Sequence, residues 1–197
     1  MSSASSPDAP SDQLLRTLAS VPVSTPMLNL GCGSGRHAEA LLRLGFPMHA
    51  CDSRAEAVED TRAVVRDLVD DETAQSCVQQ TPLDTLDDLD ATFDWVIADR
   101  TEAYLDASTD LELLLQKAHA LLNPGGWLYL TVPTPEEEKA EEAQGRDDVA
   151  ILFSSEDLAP TQFDIELMEC RSPERVEENG ETRLHALYRR VKRPTQG

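Results

Sequence analysis

Three glycines and one aspartate form the part of the chain with the most chemical content. Gly31, Gly33 and Gly35 follow the apolar run Met27–Leu30, and Asp52 comes at the end of the next apolar run. Glycines at this spacing let the backbone turn sharply and approach a ligand closely, which side chains would prevent. An acid at the end of a second strand is placed to bind both hydroxyls of a ribose. We therefore expect a ligand that contains a nucleoside.

The spacing of the glycines distinguishes between two kinds of nucleotide site. A dinucleotide-binding loop has the pattern G-x-G-x-x-G, which needs a third glycine at position 36, where this chain has Arg36. The observed pattern is G-x-G-x-G. A nicotinamide-dependent oxidoreductase is therefore disfavoured.

Alternating strands and helices are predicted around this loop. Short apolar runs indicate strands at 27–30, 48–51, 76–80, 93–98 and 127–132. Apolar residues at helical spacing indicate helices at 11–19, 35–44, 53–68 and 110–122. The third helix begins with a capping box formed by Ser53 and Glu56, and residues 123–126 are predicted to form a turn. Such alternation is typical of a parallel sheet with helices on both faces.

The pattern changes after residue 133. Residues 134–144 predict a loosely held helix or a disordered segment, and residues 155–158 predict the start of one more helix. Residues 163–170 and 183–191 have the composition of strands, and the polar stretch 172–182 is predicted to connect them. An antiparallel hairpin at the edge of the sheet is therefore expected.

Four features in this order resemble the class I S-adenosylmethionine-dependent methyltransferases. The run L-N-L-G-C-G-S-G at 28–35 resembles the family's first motif, and F-D-W-V-I at 93–97 resembles its fourth strand. L-N-P-G-G-W at 122–127 resembles the turn before its fifth strand, and the closing hairpin is similar to its sixth and seventh strands. The resemblance implies a Rossmann-like α/β fold, with a mostly parallel seven-stranded sheet, a C-terminal antiparallel hairpin and helices on both faces. The continuation G-R-H-A at 35–38 also resembles small-molecule methyltransferases of the tellurite-resistance and thiopurine types.

The resemblance implies S-adenosylmethionine as the cofactor and a role for each motif. The residues that it places against the cofactor are Gly31, Cys32, Gly33 and Gly35 on the methionine side, Asp52 at the ribose hydroxyls, Ser53, Pro82 and Leu83 at the adenine, and Ala98 and Asp99 beside the methyl group. It defines no catalytic residue. The candidates on the acceptor side are Asp99, Arg100 and Tyr104.

Two positions depart from the family pattern. The family often has an acid two residues before its first glycine, where this chain has Asn29. It also often has an aspartate in the loop after strand three, and that place falls near Pro82, with Asp84 two residues further on. Backbone groups can make both contacts, so the expected cofactor is unchanged.

The composition limits the partners. The chain has 37 acidic and 17 basic residues, a net charge of −20, and only 3 of the basic residues are lysines. A protein that binds nucleic acid needs a basic face, so neither a nucleic acid nor an anionic membrane is expected as a partner. The Debye length is roughly 3 Å at 1 M salt, which screens repulsion between acids. The excess of acids with so few lysines favours a halophilic protein over an ordinary acidic one. The acidic surface also favours a small-molecule acceptor over RNA.

The cysteines indicate a reducing compartment. The four cysteines include no C-x-x-C pair, so neither a zinc site nor a disulfide framework is expected, and no clear metal-ligand set appears. Cysteines inside predicted strands suit the cytoplasm.

The length of 197 residues suits one domain. Residues 1–10 do not resemble a signal peptide, and we expect them to form a disordered tail. We expect a single methyltransferase domain at 11–193. The protein is expected to be a monomer or a homodimer. The expected reaction is in-line methyl transfer to a small molecule, which depends chiefly on holding donor and acceptor in place. Two alternatives stay open: a methyltransferase of protein or RNA, and a non-enzymatic S-adenosylmethionine-binding regulator or partner subunit.

Overall fold

The structure divides into two compact units. It is a computed structural model, and the units are Met1–Pro82, here the first unit, and Leu83–Gly197, the second unit. The residues that it describes are 9–101, 104, 108–134, 152–159, 168–178 and 181–191.

Some of the expected segments lie outside the described residues. These are most of the tail at 1–10, most of the helix at 134–144 and the first part of the strand at 163–170. The single domain at 11–193 stays a prediction.

The first unit contains parallel strands with helices between them. Strand β1 (Met27–Leu30) pairs with β2 (Met48–Asp52), and β2 pairs with β3 (Val78–Gln80), each in parallel. All four residues of β1 are buried, as its almost continuous apolar sequence requires. The helices of this unit are α1 (Asp12–Leu18), α2 (Arg36–Leu44), α3 (Ala55–Val65) and α4 (Asp71–Cys77).

Glycines mark both ends of α2. Gly35 precedes the helix with a φ of 88°, and Gly45 follows it with a φ of 92°. The N–H of Gly45 donates to the carbonyls of Leu41 and Leu42, which satisfies acceptors that the end of a helix leaves without partners. The helix therefore begins and ends close to the positions that the glycines predict.

The start of α3 differs from the prediction. The capping box at Ser53 and Glu56 does not form, because the helix begins at Ala55 and Arg54 precedes it without a side-chain cap. The physical reason is Asp52, whose carboxylate accepts the N–H of Arg54 at 3.0 Å and holds the chain in a turn before the helix. The apolar face that was expected to continue to Leu68 ends with the helix at Val65.

Helix α4 is an element that the sequence pattern does not predict. It is only seven residues long and buries only Ala74 and Cys77, too few positions for a recognisable helical period. Its beginning is capped by Asp70, whose carboxylate accepts the N–H of Thr73 at 2.8 Å. The third strand, predicted to begin at residue 76, therefore begins only at Val78.

The second unit contains parallel and antiparallel pairs. Strand β4 (Phe93–Ala98) lies parallel to β5 (Leu122–Pro133). Strand β7 (Glu181–Arg190) lies antiparallel to both β5 and β6 (Met168–Glu178). Helix α5 (Ser108–Leu121) connects β4 to β5, and a short 3-10 helix (Leu83–Asp88) precedes β4. The core-facing residues of α5 are Leu111, Leu114, Leu115, Ala118 and Leu121.

The expected turn at 123–126 lies inside β5. Phe93 pairs with Leu122 and Trp95 pairs with Trp127, so β5 contains extra residues where the register with β4 shifts. Gly125 has a φ of 89°, which glycine adopts without strain. The segment is therefore a bulge within a strand rather than a turn between a helix and a strand.

The C-terminal hairpin is longer than predicted. The polar stretch 172–182, expected as a connection, belongs to β6 up to Glu178 and to β7 from Glu181. Exposed charged side chains at Glu174, Arg175 and Glu177 are compatible with an edge strand, which need not be apolar. Residues 155–158 form a turn instead of the predicted helix.

The strand order of the sheet is β3-β2-β1 within the first unit and β4-β5-β7-β6 within the second unit. The sheet is mostly parallel with an antiparallel C-terminal pair, and this confirms the predicted Rossmann-like α/β fold class. Within the described part of the chain, no helix is both long and apolar enough to cross a membrane.

Candidate functional site

The glycine loop is fastened to the end of β2. The N–H groups of Gly31 and Cys32 both donate to the carbonyl of Cys51, at 2.8 and 3.0 Å. Gly31, Gly33 and Gly35 have φ values of 71°, 55° and 88°, which side chains other than glycine rarely adopt. The three glycines are therefore required by the backbone path of the loop.

Two of the glycines also differ in what surrounds them. A Cβ atom on Gly35 would lie 3.1 Å from Cα of Thr61, so this glycine allows close packing against α3. A Cβ atom on Gly33 would have no atom of the other described residues within 4 Å, its chain neighbours excepted. The Cβ side of Gly33 is therefore open, and a ligand can approach its backbone there.

The hydroxyl of Thr61 supports the loop from α3. It donates to the carbonyl of Gly33 at 2.9 Å, and Thr61 itself is fully buried.

Burial raises the pKa of the neighbouring Cys32 thiol to about 11. Cys32 is therefore a neutral thiol near neutral pH and is not a nucleophile.

Asp52 is held by a network of N–H donors. Its Oδ2 accepts the N–H of Gly33 at 3.1 Å and Nη2 of Arg54 at 3.2 Å. Its Oδ1 accepts the N–H and Nε of Arg54, both at 3.0 Å. The side chain of Asp52 is 0% exposed, whereas that of Arg54 is 58% exposed. The carboxylate is thus fixed at the carboxyl end of β2, where α/β sheets bind ligands.

These contacts determine the ionisation of Asp52. Burial by itself would raise its pKa, but the hydrogen bonds from the Arg54 side chain and from the N–H groups of Arg54 and Gly33 outweigh that effect. The pKa of Asp52 therefore lies below its ordinary value, and the group is an acceptor-only carboxylate at neutral pH.

Of the residues expected at the adenine, Ser53 and Pro82 belong to the first unit and Leu83 belongs to the second unit. In the first unit, the carbonyl of Ser53 accepts the side-chain amide of Gln80 at 2.9 Å, and Pro82 is exposed. In the second unit, Leu83 begins the 3-10 helix. The carbonyl of Asp84 accepts Nζ of Lys117 at 2.7 Å.

Three of the candidates at and after the end of β4 are buried in the second unit. Ala98, Asp99 and Tyr104 are each at most 5% exposed, and Arg100 is the one residue other than glycine with a positive φ, 55°, among the described residues. The hydroxyl of Thr131 donates to Oδ1 of Asp99 at 2.6 Å and accepts the N–H of Arg100 at 3.1 Å. The structure therefore brings Asp99 and Arg100 together through a residue of β5.

Several partners of these residues are not predicted by the sequence patterns. Arg100 forms an ion pair with Glu181 at 3.3 Å, and the buried Arg183 approaches the same carboxylate at 3.6 Å. Thr131 lies opposite His185 in the antiparallel register, and the ring centroids of His185 and Tyr129 are 4.4 Å apart. Local patterns could not have indicated the contacts of Arg100 with Glu181 or of Thr131 with His185, because each joins residues that are far apart in the sequence.

No metal site is evident in the part of the chain that the structure describes. In the described ranges, no group of three or more histidine, cysteine or acidic side chains is arranged to hold a metal ion.

The loop and its acid in the first unit, on a sheet of this order, define a protein of the Rossmann-like methyltransferase class. A family model described as a methyltransferase domain matches residues 6–160, and the chain belongs to this family. The sequence matches no curated protein. The predicted family and enzyme class are thereby confirmed, whereas the resemblance to tellurite-resistance and thiopurine-type enzymes stays a prediction.

Solved structures share the fold at low sequence identity. The N-methyltransferase NodS from Bradyrhizobium japonicum WM9 is similar with a TM-score of 0.66 and 16% identity, over 91% of this chain and 93% of that one. Magnesium protoporphyrin IX methyltransferase from Synechocystis PCC 6803 gives 0.68 and 12%, over 91% and 80%. A SAM-dependent methyltransferase from Methanosarcina mazei gives 0.66 and 14%, over 94% and 100%.

Proposed function

We propose that the protein transfers the methyl group of S-adenosylmethionine to a small-molecule acceptor. The observation that carries the proposal is the carboxylate of Asp52, which backbone N–H groups hold at the end of β2 next to a loop with an open side at Gly33. The family match over residues 6–160 supports methyl transfer. Among the similar structures, the Synechocystis enzyme was crystallised with bound S-adenosylhomocysteine.

The residues of the first unit fit this cofactor. Asp52 is an ionised acceptor suited to two ribose hydroxyls, and the open side of Gly33 allows close approach of the methionine part. The residues that we assign to the cofactor are Gly31, Cys32, Gly33 and Gly35, then Asp52 and Ser53, and, from the loop after β3 and the end of β4, Pro82, Leu83, Ala98 and Asp99.

The chemistry requires mainly positioning. The cofactor supplies a methyl group that is already activated by its sulfonium, so the protein must align that carbon with the acceptor atom. A general base is needed only if the acceptor carries a proton to lose. Asp99, Arg100 and Tyr104 are our candidates for contacts with the acceptor, and Thr131 positions the first two.

The charge distribution supports a small acceptor rather than RNA. A protein that binds RNA needs basic side chains free to contact phosphates. Here seven basic side chains of the described residues pair with acids: Arg43 with Glu39, Arg54 with Asp52, Arg62 with Glu59, Arg66 with Asp71, Lys117 with Asp87, and both Arg100 and Arg183 with Glu181. With a net charge of −20, these pairs leave little positive surface for a polyanion.

Calorimetric titration of S-adenosylhomocysteine tests the cofactor assignment. Asp52→Ala should weaken binding by about 2–3 kcal/mol, because it removes a charged acceptor of two hydrogen bonds. That loss corresponds to roughly 30- to 140-fold in Kd. NAD should not bind.

Asp71→Ala is a matched control. It removes an exposed acid that also lies within 4 Å of an arginine, but this acid is the first residue of α4. Equal losses in both variants would contradict the ribose role of Asp52. The absence of binding to the wild-type protein in dilute buffer and in molar salt would overturn the proposed function.

A further inference from the structure

Arg54 uses the hydrogen-bonding positions of Asp52 that a ribose would need. A carboxylate offers about four lone-pair sites, and Asp52 accepts four N–H groups. Two come from the backbone, at Gly33 and Arg54. The other two come from Nε and Nη2 of the Arg54 guanidinium. A ribose that binds Asp52 through both of its hydroxyls must therefore displace donors that are already present.

The two kinds of donor differ in how easily they leave. The N–H of Gly33 belongs to a loop fastened to Cys51, and the N–H of Arg54 belongs to the turn before α3. Neither can move without unfolding this part of the chain. The Arg54 side chain is 58% exposed, and its guanidinium can return to water by rotation about its own side-chain bonds.

The guanidinium also resembles the ribose in the way it donates. It presents two N–H donors side by side, one to each oxygen of Asp52. The adjacent hydroxyls of a ribose present two donors in the same manner. Without a nucleoside, the same contact compensates a buried negative charge, which would otherwise be costly.

We propose that Arg54 is a displaceable placeholder at the ribose subsite, and that the ribose hydroxyls of the cofactor replace its guanidinium on Asp52 while the two backbone N–H groups remain. This inference rests on the proposed function. It makes Arg54 a determinant of cofactor affinity, because binding must first break the ion pair. Arg54 then lowers the affinity although it belongs to the site.

The proposal predicts an unusual dependence on salt. An ion pair with a solvent-exposed partner weakens as salt screens it, so the placeholder competes less well in concentrated salt. S-adenosylhomocysteine carries no net charge near neutral pH, and its long-range attraction to an acidic protein is small. The change of its affinity with salt therefore reports mainly on the exchange of the Arg54 guanidinium for the ribose hydroxyls at Asp52.

The experiment compares S-adenosylhomocysteine binding to three proteins by calorimetry, in dilute buffer and in molar salt. The proteins are the wild type, Arg54→Gln and the control Arg43→Gln. Arg43 is also exposed, at 61%, and also pairs with an acid, Glu39, on α2. Arg54→Gln should fold, because Arg54 makes no side-chain cap at the start of α3.

In dilute buffer, Arg54→Gln should bind roughly two- to fivefold more tightly than the wild type, the range for an ion pair of this exposure. The difference should shrink in molar salt, and Arg43→Gln should match the wild type throughout. Weaker binding by Arg54→Gln would mean that Arg54 stays on the bound nucleoside, and equal binding would mean that it is not displaced; either result overturns the proposal. A wild type that does not bind in either salt contradicts the proposed function instead.

Discussion

The hydroxyl of Thr131 donates to Oδ1 of Asp99 at 2.6 Å, and both side chains are buried. Its oxygen also accepts the N–H of Arg100, the residue with a φ of 55°. One side chain of β5 thus holds a buried carboxylate and a left-handed backbone at the end of β4. Thr131 is therefore a positioning residue for two of the candidates on the acceptor side.

Replacing Thr131 should destabilise the second unit. Thr131→Val keeps the shape of the side chain but removes one donor to Asp99 and one acceptor for the N–H of Arg100. We expect the free energy of unfolding to fall by about 1–3 kcal/mol, the cost of leaving buried polar groups with fewer partners. Urea unfolding measures the change. Thr131→Ser retains the hydroxyl and is the control, so equal stabilities of the two variants would contradict this role.

Alanine substitutions in the glycine loop should separate binding from stability. Both Gly33→Ala and Gly35→Ala place a side chain at a positive φ, which costs about 1–2 kcal/mol. Gly35→Ala should cost more, because its Cβ would lie 3.1 Å from the backbone of Thr61. Apart from its chain neighbours, no described residue has an atom within 4 Å of the Cβ of Gly33→Ala. Gly33→Ala should instead lose affinity for S-adenosylhomocysteine. Thermal unfolding and calorimetry measure the two effects, and tight binding by Gly33→Ala would contradict the assignment of the open side to the cofactor.

The contribution of Asp52 to stability should depend on pH in a defined direction. Its pKa in the folded protein lies below the ordinary value, which is about 3.9. The ionised group therefore stabilises the fold above that pH, and the contribution is lost as the pH falls through the folded pKa. Asp52→Asn should be less stable than the wild type at neutral pH, and the difference should decrease below about pH 4. Urea unfolding of both proteins across this range is the measurement; a difference independent of pH would show that charge at Asp52 is not the cause.

The excess of acids predicts that salt stabilises the fold. With a net charge of −20, repulsion between acids opposes the compact state in dilute buffer. Screening becomes effective over roughly 10 Å at 0.1 M and over shorter distances at 1 M. We expect the unfolding temperature to rise from dilute to molar KCl, and sucrose at equal osmolality controls for solute exclusion. A protein that is fully stable in dilute buffer and gains nothing from KCl would contradict the halophilic interpretation.

The sequence alone determined the family, the order of most strands and helices, and the candidate cofactor residues. The tight loop at Gly31, Gly33 and Gly35 is predictable because the positive φ values of these residues are a local property that glycine adopts readily. The position of Asp52 is predictable because the apolar run of β2 ends just before it, which places this acid at the carboxyl end of the strand. The local rules failed where weak patterns compete, as at α4 and at the bulge inside β5.

Only the tertiary structure decided which side chains meet. The bond between Thr131 and Asp99 depends on the register of β5 against β4, and the approach of Glu181 to Arg100 depends on where β7 lies. Three of the four donors on Asp52 come from Arg54 and depend on the turn that this residue makes before α3, where the sequence pattern predicts a capping box instead. Such contacts join residues through the packing of whole elements, and neither residue type nor local spacing contains that information.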